Sequence, residues 1–253
     1  MKSLELLALN NFPLIKPGDN LASVIFKSIL KNQLIINDND IIVIAQKVVS
    51  KAENRYVDLE KIKISDDAIN LASKLNKNPG LIQAVINESN KILSTKKNVI
   101  IVEHKLGFIN VNAGIDLSNV PSKKLALLLP EDPRKSAKDI QNYLSEKLNK
   151  KISIIITDSI TRPYRSGVIN VALASHNIQS LEDLKGQKDI YGKKLKGTEV
   201  AIADQIASAA GLLMGQSDEK QPVIVVKGLN KNTYQTNNAF NLIVKENEDL
   251  YRQ

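Results

Sequence analysis

Apolar positions along the chain follow two periods, and each period predicts a set of elements. Continuous β-branched runs mark strands. "DIIVIAQKVVS" (residues 40–50) follows the turn-like "NDND" and reads as a buried strand throughout. "NVIIVEH" is another strand, and "GFINVNAGIDLSNV" reads as a short strand leading into a loop. "KKLALLLP" is a strand stopped by Pro130, and "QPVIVVKGL" is the last clear one. "SIIITDSITRPYRSG" (residues 153–167) opens as a strand and continues as a polar loop. Helical spacing governs the remaining segments. Ser65 precedes Asp66 and Asp67 as an N-cap with two acids in the first turn. A second helix is expected from about Leu81 to Leu93. "PRKSAKDIQNYLSEKLNK" puts Ile140, Tyr143, Leu144 and Leu148 on one face. "GTEVAIADQIASAAGLLMG" is apolar almost all round, which predicts a buried helix ended by Gly215.

Helices and strands mix without a steady βαβ rhythm, so the pattern favours an α+β fold of mixed sheets and packed helices. No repeat, low-complexity tract or linker interrupts it. The 253 residues are expected to form one domain, residues 1–253, with at most two lobes. The absence of cysteine excludes a disulfide scaffold, a thiolate zinc site and a cysteine nucleophile. Only His104 and His176 could offer imidazole, so any metal should be a hard cation held by oxygen. No run approaches the roughly 18 apolar residues that span a bilayer. The start lacks a signal-peptide pattern, so the expected location is cytoplasmic, with no membrane partner. A net charge of +8 raises the question of nucleic acid, yet the lysines are scattered and only 4% of residues are aromatic. Anionic small molecules suit that charge, and no nucleic-acid partner is expected.

Chemistry gathers at three element ends. "NAGIDLSNV" carries Asp116, Ser118 and Asn119; "TDSITRPYR" carries Asp158, Ser159, Arg162 and Arg165; "MGQSDE" follows the alanine-rich helix. Asp116, Asp158, Ser159 and Gln216 together would supply the oxygen ligands that magnesium or manganese prefers. Taken singly, an Asp after a strand usually forms a turn or cap, and Arg162, Arg165 and Gln216 read as solvated surface. The chain has no GxxxxGK[ST] loop and no GxGxxG after a strand.

The full series lifts this reading. "KPGDNLASVI", "DIIVIAQKVVSKAENR", "VNAGIDLSNV", "LLLPEDPRKSA", "IIITDSITRPYRSGVINVALA", "LEDLKGQKDIYGKKLKGTEVAIADQIASAAGLLMGQ" and "PVIVVKGL" occur in this order. Over about Phe12 to Leu229 the chain resembles the coenzyme F420-0:γ-glutamyl ligase family. The resemblance implies a GTP-dependent ligase that joins L-glutamate through an amide bond to a deazaflavin precursor, coenzyme F420-0, by way of an acyl phosphate. It implies an unusual α+β fold forming an intertwined homodimer. Two divalent sites for Mg2+ or Mn2+ are implied, with K+ as a further cation. Asp116 and Asp158 fall at the first metal, Ser159 and Gln216 at the second. Phe12, Pro13, Leu14, Ile15, Gln46, Lys47, Lys51 and Asn119 fall at nucleotide-contacting positions. Met214, Gly215, Gln216 and Ser217 resemble a phosphate-side loop. Arg162 and Arg165 would grip phosphate or a substrate carboxylate beside the two catalytic aspartates.

Three departures surround the substrate. Asp158-Ser159 stands where the family commonly has Asp-Thr, keeping the hydroxyl. Thr161-Arg162-Pro163-Tyr164-Arg165 replaces Gly-Arg-Pro-Trp-Arg, and Asn170 and Ser175 stand where an acidic residue or glycine is common. A folate acceptor for the same γ-glutamyl transfer is the alternative. A non-catalytic nucleotide-binding module is the rival from another class.

Overall fold

The chain, seen in a computed structural model that describes residues 3–229 and 237–250, builds its largest sheet from the β-branched runs. In chain order the first half contains β1 (Glu5–Ala8), α1 (Leu21–Lys31), β2 (Ile41–Ala45), α2 (Gln46–Ala52), β3 (Tyr56–Asp58), α3 (Asp66–Leu75), α4 (Pro79–Asn87), β4 (Ser89–Lys96), β5 (Val99–His104) and β6 (Ile109–Val111). There follow β7 (Leu125–Leu127), α5 (Pro133–Leu148), β8 (Ser153–Arg162), β9 (Arg165–His176), β10 (Leu181–Asp183), β11 (Glu199–Ala201), α6 (Ile202–Met214) and β12 (Val223–Lys227). The fold is α+β.

The five-stranded sheet has the order β1-β12-β2-β8-β9. Only β2 and β8 pair in parallel; their neighbours are antiparallel. Side chains alternate across it with period two. Ile42, Ile44, Ile154 and Ile156 pack with α1 and α5, whereas Ile41, Val43 and Ile155 pack with α6. Both faces are covered, which is why these strands read as unbroken apolar runs. A third core joins α3 and α4 to β5 through Ala68, Ile82, Val85, Ile100 and Val102. Strands β4, β5 and β6 form one small sheet, and β3 pairs with β7.

Three expectations are corrected. The run over residues 40–50 is a strand only to Ala45, where the Ala45 N–H donates to the Pro222 carbonyl at 2.8 Å and the ladder with β12 ends. From Gln46 it turns into α2, whose Val48 and Val49 enter the core at helical spacing. Apolar period alone does not separate these states. The helix expected to reach Leu93 stops at Asn87, because residues from Ser89 onward pair with β5. The polar stretch after Ile156 stays in the sheet: β8 runs on to Arg162 and returns as β9, with Pro163 and Tyr164 (φ 59°) making the turn. The Ser65 cap, the α5 face and the stop at Gly215 stand as expected.

Candidate active site

Because β2 and β8 are parallel and Ala45 pairs with Thr157, the residues after each strand pairing emerge at one end of the sheet. Gln46 and Lys47 follow β2 as the first turn of α2, and Asp158 and Ser159 continue β8 past that pairing. A third segment arrives through a strained turn. Asn112, Ala113 and Gly114 have φ of 52°, 56° and 67°, three left-handed residues in succession. At Gly114 a Cβ would meet the Leu129 side chain at 3.0 Å, so glycine is needed there for space as well as conformation. The turn delivers Asp116, whose backbone bridges to Leu127.

Asp116 is then gripped from two sides. Its Oδ1 lies 2.7 Å from Lys47 Nζ, and its Oδ2 accepts from Gln46 Nε2 at 2.7 Å. Ser50 Oγ donates to Gln46 Oε1 at 2.9 Å, which fixes the direction of the amide. Asp158 is buried beside them. Burial first, then the Asp116 charge, pushes its pKa up to about 7, against the pull of Lys47, the Ser159 backbone and Gln46. Lys51, one helical turn from Lys47, has its pKa lowered by burial and by Lys47, with Asp116 opposing.

Helix α6 supplies the facing loop. It ends at Gly215 (φ 68°), after which Gln216 Nε2 donates to Asn170 Oδ1 at 3.1 Å. Asn119 Nδ2 donates to the Ser217 carbonyl at 3.2 Å and ties this loop to the Asp116 loop. The result is an open cleft of about 1120 Å³, counting solvent at its mouth. It brings together Phe12, Pro13, Leu14, Ile15, Gln46, Lys47, Lys51 and Asn119. Asp158, Ser159, Met214, Gly215, Gln216 and Ser217 line the same space, and Asp116 joins through Gln46 and Lys47. Leu14 stands 79% exposed at the wall, an apolar surface available to a ring.

Arg162 and Arg165 are not brought there. They face each other across the hairpin end, Arg162 Nη1 donating to the Gly167 carbonyl at 3.0 Å, and neither lines the cleft. Because β8 continues as a strand, it carries them past the site. Thr157 and Gln221 line the cleft without having been singled out, and Asn170, noted in the sequence only as a departure around the substrate, lines it too. For Asn170 a signal existed: it is a buried amide in the apolar stretch "VINVALA".

Among the described residues no group of three His, Asp or Glu side chains forms a metal cluster. The groups that do converge include two carboxylates, the Ser159 hydroxyl and the Gln216 side chain. Burial and the Asp116 charge together raise the Asp158 pKa against the opposing pull of Lys47. That set fits a hard divalent cation completed by phosphate and water.

A family model described as F420-0:Gamma-glutamyl ligase matches residues 10–228. Proteins named coenzyme F420:L-glutamate ligase are similar along most of the chain. That of Methanocaldococcus jannaschii is 38% identical, covering 99% of this chain and 98% of its own. Those of Methanothermobacter thermautotrophicus (39%, covering 89% of each chain) and Methanococcus maripaludis (41%, covering 86% of each) are likewise similar. The chain belongs to the F420-0:γ-glutamyl ligase family and is an amide-bond-forming ligase. No helix among the described residues is long and apolar enough to cross a membrane.

Proposed function

We propose that the protein is a GTP-dependent coenzyme F420-0:L-glutamate ligase, working as a cytoplasmic homodimer of single-domain chains. The observation that carries the reading is the convergence of Asp116, Asp158, Gln46 and Lys47 at the end of the parallel pair, inside a cleft rimmed by lysines. Phosphoryl transfer needs little covalent help from a protein; it needs positioning and neutralised charge. Lys47 and Lys51 would meet the nucleotide phosphates, and Phe12, Leu14 and Ile15 would cover the base. Asp116 and Asp158, with Ser159 and Gln216, would hold two Mg2+ or Mn2+ ions, with K+ as a further cation. When bound, the ions supply Lewis-acid charge neutralisation on the phosphate oxygens.

In the reaction the acceptor carboxylate oxygen attacks the γ-phosphorus, and the bond to the GDP oxygen breaks. The acyl phosphate so formed is attacked at carbon by the glutamate amine. Inorganic phosphate leaves, the amine loses a proton and the amide remains. No protein nucleophile takes part, in keeping with a chain that has no cysteine.

Incubation with GTP, magnesium, L-glutamate and F420-0 tests this. One glutamyl unit should be gained for each phosphate released. Parallel arms replace GTP with ATP and F420-0 with a reduced folate. Transfer to the folate alone, or GTP cleavage without transfer to F420-0, would overturn the acceptor assignment.

A further inference from the structure

The described C-terminal segment, residues 237–250, lies beyond the residues that the family model matches. Its start is locked to β9 and to the chain that continues into β10. Asn237 Oδ1 accepts the Ser180 N–H at 2.7 Å, and its Nδ2 donates to the Leu181 carbonyl at 2.7 Å. The buried Ala239 N–H donates to Ser175 Oγ at 2.9 Å, and that oxygen lies 2.6 Å from Ser180 Oγ. Ser175, one of the departures around the substrate noted in the sequence, thus anchors this segment on β9.

The segment then crosses to the small sheet. Asn238 and Asn241 hold a short turn: Asn238 Oδ1 accepts the Phe240 N–H, and Asn241 Oδ1 the Asn238 N–H, each at 2.9 Å. The turn sets Phe240 against Phe108, ring centroids 5.4 Å apart, with the Arg134 guanidinium 4.5 Å from the Phe240 centroid. Ile243 follows against Gly107, where a Cβ would lie 3.4 Å from Ile243 Cδ1. Gly107 and Phe108 belong to the connection between β5 and β6. Glu246 pairs with Lys91 of β4 at 2.9 Å, an exposed pair that adds little. A cavity of about 650 Å³, counting solvent at its mouth, stands between this hairpin and β9, and Leu242 and Ile243 form one of its walls. Along this edge the C-terminal segment supplies the connection.

The two site carboxylates come from the two sides of that connection. Asp158 belongs to β8 of the large sheet, whereas Asp116 follows β6 of the small one through the left-handed turn at residues 112–114. We infer that the C-terminal segment is an internal strap that sets Asp116 opposite Asp158, with Phe240 and Asn237 as positioning residues. The strap rests on these contacts; its consequence for turnover rests on the ligase reading above.

Phe240→Ala removes the hairpin contact, and Phe240→Leu keeps an apolar group there as the conservative variant. Hydrogen exchange over residues 109–119 should quicken at least about tenfold in Phe240→Ala, with the amides of β2 and β8 as protected as in wild type. Mn2+ affinity, read by paramagnetic resonance, should fall at least about tenfold. At saturating Mn2+, kcat should fall at least about tenfold while the GTP KM holds within about twofold, because Lys47 and Lys51 sit on α2, outside the strapped sheet. Phe240→Leu should recover most of each loss. Asn237→Ala frees the other end and should give the same pattern, so it serves if Phe240→Ala does not fold. Exchange over 109–119 that stays at the wild-type level in a folded variant would overturn the strap. So would exchange that quickens throughout the chain with a lower melting temperature, the mark of plain structural support. A loosened 109–119 segment with unchanged kcat would overturn the positioning of Asp116. If the wild-type protein does not ligate F420-0, the ligase reading has failed, and exchange together with Mn2+ affinity still decides the strap.

Discussion

Asp158 concentrates the chemistry of the site in one side chain. Its burial beside Asp116 costs free energy unless a cation is present, and that cost is open to measurement. In the unfolded chain a carboxyl titrates near pH 4, whereas in the folded, metal-free protein this one holds its proton to about 7. Between those values the folded state binds one more proton than the unfolded state, so stability falls as pH rises. The slope is at most about 1.4 kcal/mol per pH unit. Denaturant titrations in chelator across that window should show the fall, and Asp158→Asn should flatten it. A wild-type profile that is flat or rises would refute the assignment. Both Asp158→Asn and Asp116→Asn should lower ligation by at least about a hundredfold while leaving the fold intact, because each removes a carboxylate from the proposed hard-cation site. Near-normal turnover in either variant, at any magnesium concentration, would count against the metal role. Asp158 stood out because it follows a run that reads as buried, Asp116 because its polar loop follows a short strand, and the family resemblance gave both their role. Arg162 and Arg165 were misplaced for the same reason: polarity suggested a loop, but β9 supplied a partner that kept the stretch in the sheet.

Helix α6 shows what an element adds to its residues. Its alanines, Ala203, Ala207 and Ala210, lie fully buried, and its glycine Gly211 lets β9 come close. A Cβ on Gly211 would lie 2.7 Å from Asn170 Cγ and Oδ1. Asn170 has little room to yield, since Ser208 Oγ donates to its carbonyl at 2.7 Å and Gln216 to its side chain. Alanine at this position gains about 1 kcal/mol of helix propensity. Overpacking costs about 1–3 kcal/mol, so the clash wins. Gly211→Ala should therefore lower stability and, by pushing Asn170 from Gln216, reduce kcat/KM about tenfold. A variant of unchanged or raised melting temperature with full activity would reject this coupling. The alanine-rich helix and its stop at Gly215 were legible in the sequence, but its start was not: Glu199–Ala201, read as its first turn, pair with β10 as β11. The α2 helix was not, because Val48 and Val49 satisfy a strand pattern equally well until the end of β12 forces the choice.

At the scale of the molecule, α6 separates two explanations of its own burial. The face bearing Ile202, Ala203, Ile206, Ala207, Ala210 and Met214 is covered by β9, β1 and β12 of the same chain, so that face does not require a second subunit. The case for a homodimer therefore rests on what the chain leaves uncovered. Tyr164 at the β8–β9 turn is 90% exposed, Leu212 near the end of α6 is 86% exposed, and Ile190 and Tyr191, between β10 and β11, are 91% and 89% exposed. These four side chains are large apolar groups that a partner surface would cover. A stable homodimer covers on the order of 1,600 Å² or more. The mass in light scattering at micromolar concentration should be twice that of the 27.9 kDa chain. Unfolding should shift to higher temperature as protein concentration rises. Ile190→Glu combined with Tyr191→Lys should weaken the dimer at least tenfold without unfolding the chain, since both side chains contribute little to its own core. A single-chain mass in wild type, with a melting temperature independent of concentration, would show that these side chains serve another purpose.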